Sequence, residues 1–161
     1  MQAYKCFNKG LINLYGRQYE IGKLYHDEGD ISFGDKKHGF HVCENLEDTF
    51  RFFDGFHEEL DVCLVECFGK YAKRDDEYNG YFEMYSFEYL KILKLLTREE
   101  IISYGLNLDE NRVVRFISSI KLTKEETGLF REKFYNCVNV IEHIDYYQDN
   151  DKEVFARRFN K

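Results

Sequence analysis

Apolar and polar positions repeat with a period of two through the first part of the chain and with a period near 3.6 beyond residue 97. Ala3 to Phe7 alternates and predicts a strand, closed by the turn Asn8-Lys9-Gly10. Residues 11–25 hold short extended pieces around Tyr19, Ile21 and Leu24-Tyr25, separated by Gly16 and Gly22. A polar loop over 26–38 follows, and then Phe40 to Cys43 predicts a buried strand. Asn45 is a good helix cap with Asp48 three residues on, and Leu46, Phe50 and Phe53 mark one face of a two-turn helix. Leu60 to Phe68 is the clearest strand, with Asp61, Cys63, Val65 and Cys67 on one face and Gly69 as its end. Residues 70–80 read as a charged loop with an Asn79-Gly80 turn. Residues 81–95 are rich in Tyr, Phe, Leu and Ile, and the run Tyr89 to Leu95 fits a strand with one wet edge, a helix being the competing reading.

The later pattern is helical. Thr97-Arg98-Glu99-Glu100 is a capping box opening a short helix that Gly105 closes. Asp109 starts another, with Val113, Phe116, Ile117 and Ile120 on one face. Thr123-Lys124-Glu125-Glu126 is a second capping box, and it opens the longest predicted helix, about 124–148. That helix aligns Phe130, Phe134, Cys137, Val138, Ile141 and Ile144. The expected fold is α+β: a twisted, mainly antiparallel sheet from 1–95 packed against helices from 97–148, within a single domain 1–161. Residues 149–161 form a polar tail that Val154, Phe155 and Phe159 could dock.

Composition narrows the function classes. The chain of 161 residues has 15 Phe and 13 Tyr but no Trp or Pro, so its core is Phe-rich. The net charge is −7, of which residues 1–80 carry −6 and 81–161 carry −1. An acidic chain with no basic cluster argues against direct binding of a phosphate backbone, and suits a basic surface on another protein. The five cysteines are odd in number and contain no Cys-x-x-Cys pair, which points to free thiols in a reducing, cytoplasmic setting. No apolar run approaches the roughly 20 residues of a membrane span. Cys63 and Cys67, four apart on a strand, lie about 13 Å apart and cannot share one metal ion, so no metal is expected.

The densest chemistry lies in residues 38–53. His41 and Cys43 share a strand face, but i,i+2 neighbours sit about 6–7 Å apart, which favours a packed thiol over a nucleophile pair. Glu66, on a strand expected to be buried, needs a partner such as Arg17 or Arg51. The aromatics Phe50, Phe52, Phe53 and Phe56 read as core. Tyr78, Tyr81, Tyr85 and Tyr89 suit an exposed or half-exposed face beside Asp75-Asp76-Glu77. The expected partner-binding residues are Asp75, Asp76, Glu77, Tyr78, Tyr81 and Tyr85.

Four stretches together carry a resemblance: Tyr4-Lys5-Cys6-Phe7-Asn8, Gly16 to Tyr25, Gly39-Phe40-His41-Val42-Cys43-Glu44-Asn45, and Val65-Glu66-Cys67-Phe68-Gly69. Over roughly residues 3–102 the chain resembles an uncharacterised family of small bacterial and phage proteins, a likeness that implies no activity. In shape, the first half is also similar to ADP-ribosyltransferase-like folds. That likeness implies NAD as a cofactor, with Tyr4 or Lys5, Phe40 with His41, Phe50 or Phe53, and Glu66 in the gripping and orienting places. The alternative catalytic set is therefore Tyr4, His41 and Glu66.

With no complete catalytic constellation in the residues, the leading expectation is a small cytoplasmic protein that binds another protein, as an inhibitor of host or defence machinery. It needs no cofactor, and its oligomeric state is open. The NAD-dependent enzyme is the alternative.

Overall fold

The computed structural model describes residues 1–33, 38–53, 59–75 and 83–149. The chain forms two compact units, one from Met1–Thr49 with Glu58–Leu96, the other from Phe50–His57 with Thr97–Lys161.

The first unit is an antiparallel sheet of five strands: β1 (Gln2–Asn8), β2 (Leu24–His26), β3 (Phe40–Cys43), β4 (Leu60–Asp75) and β5 (Glu83–Leu95). β1 lies between β3 and β4, and β5 also pairs with both of these, so β1, β4, β5 and β3 close into a ring. β2 lies on β5, with Leu24 opposite Lys91 and His26 opposite Tyr89. Pairing along both edges settles 81–95 as strand from Glu83 onward, because a helix would leave those ladders unmade. The ring is filled by side chains, among them Ala3, Phe7, Phe40, Val42, Val65 and Leu90. Tyr19 and Tyr25 join them, rings 4.6 Å apart, and Tyr25 Oη accepts the Glu20 N–H at 2.8 Å. Asp61, buried at the foot of β4, accepts the N–H groups of Gly10 (2.8 Å) and Leu11 (3.1 Å) and holds the turn after β1.

β4 does not stop at Gly69. The ladder with β5 shifts register between Phe68 and Tyr71, Gly69 takes φ +85°, and pairing resumes to Asp75. A glycine in the left-handed region inside a ladder is a bulge, so the expected stop is a bend, and 70–75 is strand rather than loop. α1 (Leu46–Thr49) is a single turn that buries Glu47 and Asp48, and the Asn45 side-chain amide donates to Asp48 at 3.1 Å.

In the second unit Phe50–Phe53 is a 3₁₀ turn rather than the continuation of an α-helix. α2 (Arg98–Leu106) and α4 (Lys124–Lys133) open on the two expected capping boxes. Glu126 completes its own box by accepting the Thr123 N–H at 2.8 Å. It also accepts Arg98 Nε at 2.8 Å and Nη2 at 2.7 Å, so one carboxylate caps α4 and ties it to α2. α3 (Glu110–Ser119) starts at the Asp109 cap and buries Val113, Phe116 and Ile117 as expected. Gly105 lies inside α2 rather than past its end, where the Phe116 ring packs so closely that a Cβ would overlap it.

The predicted 124–148 helix is two. α4 ends at Lys133, Cys137 adopts φ −99° and ψ 89°, and α5 (Val138–Ile144) follows, running into a wide turn over Asp145–Asp149. In one unbroken helix Val140 would sit roughly 80° off the Phe130 face. The break brings Val140 into the core with Ile144 and leaves Val138 70 % exposed. Gln148 then closes the end of α3. Its Nε2 donates to the carbonyls of Ile117 (2.9 Å) and Ile120 (3.0 Å), and its Oε1 accepts the Leu122 N–H (3.0 Å).

Candidate functional site

The residues around Gly39 form a polar knot. Asp27 Oδ2 accepts the Gly39 N–H at 2.8 Å, while Oδ1 accepts the Gly29 N–H at 3.0 Å and lies 3.2 Å from His38 Nδ1. Gly39 has φ +97°, and a Cβ there would overlap Ser86 Oγ. Burial pushes the Asp27 carboxyl up, but the hydrogen bonds from Gly39, Gly29 and His38 outweigh it and hold it below the usual carboxylate range. Ser, His and Asp thus meet here without the geometry of a nucleophile. Ser86 is fully buried and donates its hydroxyl to the His38 backbone carbonyl at 2.9 Å. The knot anchors the entry to β3.

His41 stacks on Phe33 at 5.1 Å, and Phe33 also covers Cys43 and Met84. Tyr4, His41 and Glu66 occupy one nominal face of β3, β1 and β4. Tyr4 is opposite Cys43, and Glu66 is opposite Gln2. Continuing that register puts His41 beside Cys6 and separates the His41 and Glu66 backbones by about 16 Å. Tyr4 and His41 are half-buried. Glu66 is exposed, which removes the expected need for a buried partner, and Arg17 instead lies over the rings of Tyr19 (5.3 Å) and Tyr25 (5.2 Å).

Lys5, offered beside Tyr4 by the likeness to ADP-ribosyltransferase-like folds, turns inward. Strand alternation places it between Ala3 and Phe7 on the inward side, opposite Cys63. Its Nζ donates to the His41 carbonyl at 2.6 Å and lies 5.5 Å from the centre of the Phe7 ring. Desolvation lowers its pKa, against the nearby thiols of Cys43, Cys67 and Cys6, which raise it. The Cys63 and Cys67 thiols are themselves pushed up to about 12 by burial. All five cysteines are free, and buried, protonated thiols such as those of Cys63 and Cys67 are inert. Among the described residues no group of three His, Cys, Asp or Glu side chains is placed to hold a metal ion. No helix there is long and apolar enough to cross a membrane.

The β4–β5 ribbon carries exposed aromatic side chains. Phe68 is 42 % exposed and Tyr71 63 % exposed. Phe68, Tyr89 and His26 stack across β4, β5 and β2, with centroids 4.9 Å and 4.3 Å apart and rings within 7° of parallel. Tyr71 stacks on Phe87 at 5.5 Å. Tyr85, one of the expected partner-binding residues, is half-buried on the same ribbon and donates its hydroxyl to Glu83 at 3.0 Å. Burial, then the Glu83 carboxylate, raises its pKa. Glu83 is held down first by Lys73, 2.7 Å away. Asp75 ends β4, opposite Glu83. Asp76, Glu77, Tyr78 and Tyr81 lie outside the described residues, as does Phe56. Tyr71 was concealed because Gly69 reads as a stop, which placed it in a loop.

No curated protein and no solved structure matches the chain. A family model described as a domain of unknown function, DUF7666, matches residues 1–103, close to the 3–102 over which the sequence carries its resemblance. The matched stretch takes in all five strands and the start of α2. On a match of this length, the chain belongs to the DUF7666 family of domains of unknown function.

Proposed function

We propose that the protein acts by binding another protein through the β4–β5 ribbon. The observation that carries this reading is the exposure on the β4–β5 ribbon of Phe68, stacked on Tyr89, and of Tyr71, stacked on Phe87 beside Tyr85. Aromatic side chains bring large contact area at small entropic cost, and they are enriched at the centres of interfaces. The paired strands beneath them provide a rigid base. The resemblance to small bacterial and phage proteins directs the binding at host or defence machinery, as an inhibitor working in the cytoplasm.

The test is site-specific photo-crosslinking in a bacterial lysate at low salt. A crosslinking side chain at Tyr71 should trap a discrete species that excess unlabelled protein competes away, whereas the same group at Tyr135 should not. No species from Tyr71, or the same species from both positions, counts against the reading.

A further inference from the structure

The lysines of the first unit differ in what answers their charge. Lys9, Lys23 and Lys73 each meet a carboxylate, of Asp61, Glu20 and Glu83. Lys5 meets none among the described residues. It stands opposite Cys63 and between Ala3 and Phe7, and continuing the Tyr4–Cys43 rung puts Val42 beside it on β3. All four of these neighbours are buried in the core. The lysine side chain is half-buried, and its Nζ reaches across to β3, where the His41 carbonyl accepts one hydrogen at 2.6 Å. The Phe7 ring, 5.5 Å away, gives a weaker second contact. An ammonium has three hydrogens to place, so its charged form is poorly answered here.

A free amine suits the place better. It gives one hydrogen to His41 and keeps a lone pair. Burial, the largest influence, lowers its pKa, and the thiols of Cys43, Cys67 and Cys6 recover only part of the loss. Lysines desolvated in this way are the amines that attack carbonyl carbon. The Cys63 and Cys67 thiols are held protonated and do not compete as nucleophiles. We propose that Lys5 is a nucleophilic amine whose reaction partner is a small, uncharged aldehyde, with which it condenses to an imine. The lone pair bonds to the aldehyde carbon, and the two amine hydrogens leave with the aldehyde oxygen as water. Once protonated from solvent, the imine nitrogen carries one hydrogen, and the His41 carbonyl is placed to accept it. The aldehyde is uncharged because Ala3, Phe7, Val42 and Cys63 offer no partner to a charged substituent. The site is on the inward side of β1 and does not depend on the protein-binding reading.

The probe is propanal, given to the full chain with cyanoborohydride, which adds hydride to the imine carbon and fixes the adduct as a secondary amine. Peptide mass spectrometry, with fragment ions assigning each lysine, reads the rate at Lys5 against that at exposed Lys124. At about pH 7 a lysine of ordinary basicity is free amine to only about 0.04 %, and each unit by which its pKa falls raises that fraction about tenfold. Lys5 should therefore gain the propyl group at least about 10-fold faster than Lys124. Its rate should also level off at a lower pH than that of Lys124. In urea the two rates should become equal, since the fold supplies the difference. A lysine that only ties β1 to β3 would be shielded by its hydrogen bond and would react more slowly than Lys124. Labelling of Lys5 no faster than Lys124 in the folded chain, the same pH profile at both, or a preference that survives unfolding overturns the proposal.

Discussion

Replacing Asp27 by Asn should cost the first unit about 2 kcal/mol, because one carboxylate there answers three donors. Asn keeps one acceptor oxygen and turns an NH₂ toward a remaining N–H. One of the bonds from Gly39 (2.8 Å) and Gly29 (3.0 Å) is lost and the other weakened. Hydrogen bonds to a charged group contribute roughly 1.5–3 kcal/mol each when buried, and the 26 % exposure of the Asp27 side chain puts the loss toward the low end. Urea unfolding read by tyrosine fluorescence is suitable, since nine of the thirteen tyrosines belong to the first unit. At a slope of roughly 1–3 kcal/mol per molar, the midpoint should fall by about 1 M with the slope unchanged. The folded Asp27 carboxyl lies below its unfolded value, so its contribution is complete above about pH 4 and is lost as pH falls through the lower folded value. The difference between wild type and Asp27→Asn should therefore shrink in acid. His38→Ala removes one half-exposed contact and should cost no more than about 1 kcal/mol. A loss under about 0.5 kcal/mol for Asp27→Asn, or an equal loss for His38→Ala, refutes the claim that the carboxylate acts mainly through backbone amides.

Gln148→Ala removes three hydrogen bonds at the end of α3 and should destabilise the second unit by about 2 kcal/mol in thermal or urea melts; a loss below about 0.5 kcal/mol would show the clamp to be incidental. Arg98→Lys keeps the charge but loses the two-point grip on Glu126, at about 1 kcal/mol. Burial raises the Glu126 carboxyl, and Arg98 and Thr123 more than offset it, so this contribution too should fade as pH drops below the usual Glu range. Gly69→Ala puts a Cβ at φ +85° against Glu88 and Tyr89 and should cost about 1–2 kcal/mol, seen as a lowered Tm. In thiol labelling of the native protein Cys137 should react first, since the other four thiols are buried; early labelling of Cys63 or Cys67 would contradict the structure.

What the chain discloses by itself depends on whether a signal is local. Phe40–Cys43 is legible because Gly39 and an apolar run bracket it, and both capping boxes are legible because Thr and Glu three apart act on one turn. Gly69 was misread because a bulge glycine and a terminating glycine look alike until the partner strand is known. The break between α4 and α5 has no Gly or Pro to announce it, being imposed by the packing of Val140. Asp27 and Gln148 sit in polar stretches, and each reaches backbone groups beyond its own turn, at Gly39 and at Ile117 and Ile120. At the candidate site, Tyr85 was visible from its aromatic spacing, whereas Tyr71 emerged only once β4 was seen to pass its bulge.

Closure of the four-strand ring also bears on how the chain reaches this state. Tyr4 has Cys43 on one side and Leu64 on the other, so β1 needs partners that lie much later in the chain. Its β3 partner at Cys43 and its β4 partners at Leu60–Glu66 come later in the chain, and β5 must follow before the ring can close. Contacts this distant in sequence slow folding and leave strand edges open in the meantime. β1 therefore depends on long-range partners along both of its edges. A charge placed at inward-facing Ala3 should act most strongly on the rate at which the ring closes.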